Sequence, residues 1–368
     1  MKKLLKLFFV YLLLLVFGFL IGFGFARLNL PVKNPFALSG FLMMLLWFLP
    51  ALFLTVFFHE LGHLILGLLT GYEFVSFRVL NRLIKKEDDR LVIKKFSLKG
   101  TLGQCLLLPT EKSLNHPFWY NFGGVFFNLI IFFSLIPLLF FVKSNLLFLP
   151  LLFTIVLNLL FAYINWAKTP GLTNDGNNYR ELKKHPTSKA SYYQLLRINH
   201  LLSNGDDLRD VEFTIAEDSL DLSKNIQVNY AMFLVLYYHL TFQMDKAKTL
   251  VDSIETNYPH KQSILGSMWL ANKHFQDYYF EVAEKTEDKR LKLIFSDKNT
   301  DPGIALFHFY ITYLNTGQYP TDLDELFQKN LKNSPNKGVI EPYLAFKSFL
   351  IDDVIKKQES IEQSISVA

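Results

Sequence analysis

The chain has 368 residues, 51% of them hydrophobic, and a mean hydropathy of +0.21, which is too apolar for a soluble protein of this length. Residues 1–180 carry 17 Lys and Arg against 7 Asp and Glu, whereas residues 181–368 carry 21 against 26. This composition predicts a basic membrane half followed by an acidic soluble half. The basic residues flank apolar stretches and form no surface stripe, so a nucleic-acid partner is not indicated. The single cysteine, Cys105, excludes an internal disulfide framework and a thiolate zinc cluster.

Four apolar stretches are long enough to cross a bilayer. They cover about residues 4–26, 37–69, 118–142 and 146–166. The first follows Lys2 and Lys3 and resembles a signal peptide, but its apolar core is roughly twice the usual length. The sequence therefore predicts an uncleaved first span and a mostly α, multi-pass membrane protein.

The distribution of basic residues predicts the orientation of these spans. Most of the basic residues between spans lie in the 71–117 loop, whereas the opposite connections hold only Arg27, Lys33 and Lys143. By the positive-inside rule, the N-terminus, this loop and the C-terminal half face the cytoplasm. The four spans within residues 1–180 are predicted to lie in the lipid bilayer of the cell membrane.

The 71–117 loop carries a β-strand pattern. Three segments, Glu73–Leu80, Leu91–Ser97 and Leu102–Leu108, are rich in alternating or β-branched residues, and Lys85–Arg90 reads as a charged turn. We expect a small β element close to the membrane, whose edge could accept an unfolded peptide as an added strand. The alternative is an amphipathic linker that rests at the membrane interface.

The second apolar stretch contains the motif His59-Glu60-Leu61-Gly62-His63. On a helix, His59 and His63 project from the same face and can hold one zinc ion. Glu60 stands beside the first ligand, where it can act as a general base toward a zinc-activated water. The alternative, two core histidines and an incidental carboxylate, is weak because such groups are costly in hydrocarbon and usually functional there. One zinc ion per chain is the predicted cofactor.

A catalytic zinc takes three protein ligands and keeps one position open. Asp175, in Thr173-Asn174-Asp175-Gly176 just after the fourth stretch, is the best candidate for the third ligand. It lies on the same predicted membrane side as the two histidines. His116, at the start of the third stretch, is the competing candidate.

Three motifs in this order resemble the site-2 protease family of intramembrane zinc metalloproteases. They are the His-Glu motif, the Asp175-Gly176 pair and Gly123-Gly124-Val125-Phe126-Phe127-Asn128, which is similar to the family's Gly-x-x-x-Asn element. The resemblance covers about residues 37–180.

The resemblance implies a three-helix core with zinc on His59, His63 and Asp175, and Glu60 as the general base. It also implies that Gly124 and Asn128 bind the substrate, Asn128 at its backbone or its developing oxyanion. The alternative for these two residues is ordinary helix packing through a small residue and a polar tether.

The half of the chain at 181–368 has a helical period. The window Val228–Pro259 resembles one tetratricopeptide repeat, and Ile304–Pro335 resembles a second, poorer one. A repeat-like α-helical domain of this kind usually offers a concave surface to a peptide or protein partner. The alternative is a plain helical bundle that anchors or stabilises the membrane core.

Together these features predict an enzyme that cleaves a membrane-embedded peptide or protein. A second hypothesis is a non-catalytic scaffold or immunity-type protein, anchored in the membrane and recruiting partners through residues 181–368. A third keeps the protease chemistry but directs it at small secreted peptides.

Overall fold

Helices dominate the computed structural model of the chain, which describes Gly18 and residues 38–87, 90–96, 101–143, 145–171 and 173–367. The mostly α class with one small sheet is confirmed. The first predicted span, about residues 4–26, lies outside the described residues except for Gly18.

Within the part of the chain that the structure describes, three helices are long and apolar enough to cross a membrane. They are α1 (Leu38–Leu69), α2 (Pro117–Leu135, continued by the short α3, Leu138–Phe141) and α4 (Asn145–Trp166). They coincide with the second, third and fourth predicted spans. Each is almost free of charged residues, and a helix satisfies its own backbone hydrogen bonds, which a segment surrounded by lipid requires.

Helices α1 and α2 pack closely because glycines face each other. A Cβ on Gly62 would lie 2.2 Å from the carbonyl oxygen of Gly123, and one on Gly123 would lie 2.4 Å from that of Gly62. Small residues of this kind allow helix backbones to approach one another in a membrane protein. Helix α4 completes the group, with Ile155 packed in a cluster that includes Phe132 of α2.

One four-stranded sheet lies in the 71–117 loop, as predicted. Its strands are β1 (Glu73–Val79), β2 (Arg82–Glu87), β3 (Arg90–Lys95) and β4 (Gly103–Leu108), in the order β3-β2-β1-β4. Strands β1 and β4 pair antiparallel, with Phe77 opposite Cys105. The ring of Phe77 contacts Phe57 of α1 at 5.9 Å between centroids, and the Tyr120 hydroxyl of α2 donates to the Cys105 carbonyl at 2.7 Å. These contacts hold the sheet against α1 and α2.

The prediction of a charged turn over Lys85–Arg90 was partly wrong, because β2 extends to Glu87. In β2, Leu83 and Lys85 are buried while Arg82 and Lys86 are exposed, which is a strand alternation with a lysine at a buried position. Lysine is rarely buried, so a lysine at this position breaks the apolar alternation by which a strand is recognised in a sequence. The sequence pattern therefore did not predict β2.

The described residues divide into two compact units. The first holds the three long helices, β1, the start of β2, β4 and Asn174–Gly176. The second holds the end of β2, β3 and the chain from Asn177 onward.

The second unit is helical. Its helices are α5 (Asp175–Lys184, which begins in the first unit), α6 (Pro186–Asn204), α7 (Asn225–Leu240), α8 (Met244–Asn257), α9 (Ile264–Tyr279), α10 (Leu291–Ile294), α11 (Pro302–Thr316), α12 (Thr321–Lys332) and α13 (Ile340–Val367). The first repeat-like window corresponds to α7 and α8, and the second to α11 and α12. Fully buried aromatic residues, among them Tyr230, Phe275 and Phe346, form its core. The assignment to a repeat class stays a prediction.

Lys85 belongs to this second unit and is buried. Its ammonium group donates to the carbonyl oxygens of Ser203 at 3.1 Å and Pro335 at 3.3 Å. Ser203 lies in the last turn of α6, where carbonyls have no partner within the helix and the helix dipole favours a cation. Lys85 thereby fixes the end of β2, within the second unit, to the end of α6.

Candidate metal centre

His59 and His63 lie one turn apart on α1, and their Nε2 atoms are 3.2 Å from each other. Oδ2 of Asp175 is 3.3 Å from Nε2 of His59 and 3.4 Å from Nε2 of His63. Both histidines are buried, and Asp175 is half-buried. The three residues could hold a metal ion between them.

The turn between α4 and α5 carries Asp175 to this position. The side-chain amide of Asn174 donates to the carbonyl oxygens of Ile164 at 2.8 Å and Ala167 at 2.9 Å, at the end of α4. Asp175 then begins α5 directly beside the two histidines. His116, the competing third ligand, is exposed where α2 begins and is not part of the group.

The outer nitrogens of both imidazoles face oxygen atoms. Nδ1 of His59 lies 2.6 Å from Oδ1 of Asn128, and Nδ1 of His63 lies 2.7 Å from the carbonyl oxygen of Tyr120. These oxygens only accept hydrogen bonds, so each Nδ1 carries the proton and each Nε2 presents a lone pair. The two lone pairs point toward Asp175, whose Oδ2 is buried and accepts no hydrogen bond from any described residue. Such a cluster of electron pairs requires a cation, or a proton in its place.

The charge on Asp175 agrees with this requirement. Burial alone would raise the pKa of Asp175, but the positive charge of a proton on His63 or His59, held in place of a cation, lowers that pKa well below its usual range. The carboxylate is therefore ionised and available as a ligand.

Glu60 is buried beside the start of β4. A Cβ on Gly103 would lie 2.3 Å from Oε1 of Glu60, so the strand passes directly against the carboxylate. Arg78, fully buried, holds this strand end, since its guanidinium donates to the carbonyl oxygens of Leu80 at 2.8 Å and Gly103 at 3.1 Å and also to the Thr101 hydroxyl. Burial lowers the pKa of Arg78, and the negative charge of Glu60 opposes that shift.

Gly124 and Asn128 both contact the two histidines. A Cβ on Gly124 would lie 2.5 Å from Cε1 of His59 and 2.5 Å from Nε2 of His63, so only glycine leaves room for the two rings. Asn128 is fully buried, and both ends of its amide are hydrogen-bonded within the protein. These contacts place Asn128 against His59, and substrate contact by Gly124 and by Asn128 stays a prediction.

The sequence argument did not identify four residues that support the site. Thr55, Arg78, Tyr120 and Asn158 all hydrogen-bond to groups next to the histidines or Glu60. A polar side chain within an apolar span is a signal that could have singled out Thr55 and Asn158. The contributions of Arg78 and of the Tyr120 carbonyl depend on tertiary packing and leave no such signal.

Comparison of the chain with protein-family models, with curated proteins and with solved structures gave no match.

Proposed function

We propose that the chain is a membrane-embedded zinc metalloprotease. The observation that carries the proposal is the convergence of His59, His63 and Asp175, with a buried carboxylate, Glu60, next to the first histidine. Two neutral imidazoles and a carboxylate are a ligand set typical of catalytic zinc sites.

The separations of the three ligand atoms support zinc. Tetrahedral zinc has bonds of about 2.0–2.1 Å to nitrogen or oxygen, which places neighbouring ligand atoms roughly 3.3 Å apart. The three separations at this site are 3.2, 3.3 and 3.4 Å. Calcium, with its longer bonds and preference for oxygen, would need a wider group of ligands.

The proposed reaction is hydrolysis of a peptide bond. Zinc, when bound, supplies Lewis-acid activation of water. Glu60 takes a proton as the water oxygen bonds to the peptide carbon, and delivers it to the amine nitrogen as the C–N bond breaks. His59, His63 and Asp175 hold their places through the contacts described above, so little reorganisation accompanies the reaction.

The location of the site points to a membrane-embedded substrate. His59 and Glu60 lie within the apolar window Leu45–Leu69, about ten residues or roughly 15 Å of helix before its end. A helical substrate must unwind there, because its carbonyls are already hydrogen-bonded. Strand β4 has a partner strand on one side only among the described residues, and it begins against Glu60, so an extended substrate could pair with its other edge.

The proposed setting is the cell membrane, with the N-terminus, the 71–117 loop and residues 181–368 in the cytoplasm. The helical second unit would then meet a cytoplasmic protein partner or the soluble part of the substrate. Reporter fusions after Arg90 should read as cytoplasmic, and fusions near Lys33 as external. An external reading at Arg90 would contradict the orientation and place β4 on the wrong side.

The decisive experiment uses the full-length chain purified in detergent. It should contain about one zinc per chain. Glu60→Gln keeps both imidazoles, so zinc should remain, while cleavage of a transmembrane peptide should fall by several orders of magnitude. Glu73→Gln, at an exposed position on β1, is the matched control and should cleave normally. Full activity in Glu60→Gln would contradict the protease hypothesis and favour the hypothesis of a non-catalytic, membrane-anchored scaffold.

A further inference from the structure

A continuous line of hydrogen bonds leads from α4, by way of side chains on α1 and α2, to the imidazole of His59. It passes through Asn158 on α4, Thr55 on α1 and Asn128 on α2, all of which are fully buried. We propose that Asn158 and Asn128 are positioning residues that fix the tautomer of His59 in which Nε2 can bind a metal. This inference rests on the metal centre of the proposed function and deepens it.

The line begins at a backbone carbonyl. The amide nitrogen of Asn158 donates to the carbonyl oxygen of Thr154 at 2.7 Å and to the Thr55 hydroxyl at 3.1 Å. A carbonyl oxygen accepts only, so the Asn158 side chain cannot reverse its amide without placing two oxygens against each other. The Thr55 hydroxyl donates in turn to the carbonyl oxygen of Ala51 at 2.9 Å, which leaves its oxygen free to accept from Asn158.

Asn158 and the backbone carbonyl of Thr55 together set the orientation of Asn128. Oδ1 of Asn158 accepts from the amide nitrogen of Asn128 at 2.6 Å, and the same nitrogen donates to the carbonyl oxygen of Thr55 at 3.2 Å. Both hydrogens of the Asn128 amide are thereby used. Its oxygen must face the other way, toward Nδ1 of His59 at 2.6 Å.

An amide oxygen at Nδ1 stabilises the tautomer with the proton on that nitrogen. The lone pair then lies on Nε2, the atom that faces His63 and Asp175. A reversed Asn128 would offer its NH₂ group to Nδ1, move the imidazole proton to Nε2 and block the ligand position. Each bond in the line is buried, where a mispaired polar group is costly, so the polarity set at Asn158 is carried to His59.

The test measures zinc affinity by competition with a chelator, on full-length protein in detergent. Asn158→Leu and Asn128→Leu should each weaken zinc binding, by about 10- to 100-fold for residues that orient a metal ligand. Because both residues act through one path, their effects should not add. The double variant should bind zinc about as tightly as whichever single variant has the lower zinc affinity.

Asn165→Leu is the matched control. Asn165 lies on the same helix and, like Asn158, donates to the carbonyl four residues earlier, that of Phe161 at 3.0 Å. It has no place in the line, so its variant should bind zinc as the wild type does. If Asn158→Leu fails to fold, Thr55→Val, which removes only the hydroxyl, takes its place, with Thr55→Ser expected to restore affinity.

A second readout does not need zinc. Nitrogen NMR of ¹⁵N-labelled histidine in the metal-free protein should place the His59 proton on Nδ1 in the wild type, and on a mixture of nitrogens in Asn158→Leu. The same tautomer in both proteins would overturn the inference. Unchanged zinc affinity in Asn158→Leu and Asn128→Leu would also overturn it, as would an equal loss of zinc affinity in the control Asn165→Leu. A variant of Asn128 that raises the KM for cleavage and leaves zinc affinity unchanged would overturn it as well.

These readouts separate two failures. A wild-type protein that binds no zinc would contradict the proposed function, and the NMR experiment would still decide whether Asn158 sets the tautomer. A wild-type protein that binds zinc and cleaves, with no effect from Asn158→Leu, would contradict only the positioning role.

Discussion

Gly103 lies against the carboxylate of Glu60 so closely that a Cβ at position 103 would stand 2.3 Å from Oε1. The two residues come from different elements, β4 and α1, and Arg78 holds the strand in place through the Gly103 carbonyl. The proposed general base therefore lies in direct contact with the first residue of the proposed substrate-binding strand.

This contact predicts a catalytic defect in Gly103→Ala. The added methyl group must displace either Glu60 or the start of β4, and a shift of about 1 Å at a catalytic group can reduce the rate by roughly 100-fold. Zinc content should stay at the wild-type level, because no ligand is touched. Cleavage and zinc content are measured together, with Gln104→Ala on the same strand as the control. Normal cleavage by Gly103→Ala would show that Glu60 is not confined by β4.

A second prediction concerns Gly124, whose backbone passes against both imidazoles. Gly124→Ala places a methyl group 2.5 Å from ring atoms of His59 and His63, so the rings must move and zinc binding should weaken by at least 10-fold. Gly123→Ala instead presses on the α1 backbone, at the Gly62 carbonyl and the His63 Cα, and touches neither ring. It should lower thermal stability and disturb zinc binding less. Equal zinc affinities in Gly124→Ala and the wild type would contradict the site geometry.

A third prediction concerns Lys85, which is buried against two carbonyl oxygens. Lys85→Met removes the donor and leaves those carbonyls without it, which should lower the free energy of unfolding by about 1–3 kcal/mol. Lys86→Met changes the neighbouring, exposed lysine and should have little effect. Urea unfolding of the full chain compares the two. Equal midpoints would mean that the end of β2 does not help to stabilise the second unit.

A fourth prediction concerns the pH dependence of the second unit. Burial lowers the pKa of His239 to about 3, and its ring is surrounded by Phe275, Phe307 and Phe346. Below pH 6.5 the unfolded chain takes up a proton that the folded protein does not, so the free energy of unfolding falls as the pH decreases toward 3. At pH 5 the loss should be roughly 2 kcal/mol.

The measurement is hydrogen exchange of the peptides that cover α7 and α9, at pH 7 and pH 5 and corrected for the intrinsic rate. His239→Phe keeps an aromatic ring and removes the titrating group, so its protection should depend less on pH than that of the wild type. The same dependence in both proteins would assign the effect to other groups.

Much of the architecture follows from local sequence. Apolar stretches of at least 18 residues predict α1, α2 and α4, because a chain in hydrocarbon must satisfy its backbone internally. The pair His59 and His63 is likewise local, since residues four apart on a helix share a face. The β pattern of the 71–117 loop predicted β1, β3 and β4, and it missed β2, where Lys85 occupies a buried position.

Only the tertiary structure decided which residues complete the site. The choice of Asp175 over His116 as the third member of the metal group depends on how the chain turns after α4, which Asn174 fixes through carbonyls at the end of that helix. The partner of Asn128 is His59, on another helix, and only helix packing could bring them together. Side-chain type and spacing determine what a helix can present, whereas long-range packing determines which groups meet, because the contacts that select them join residues far apart in the chain.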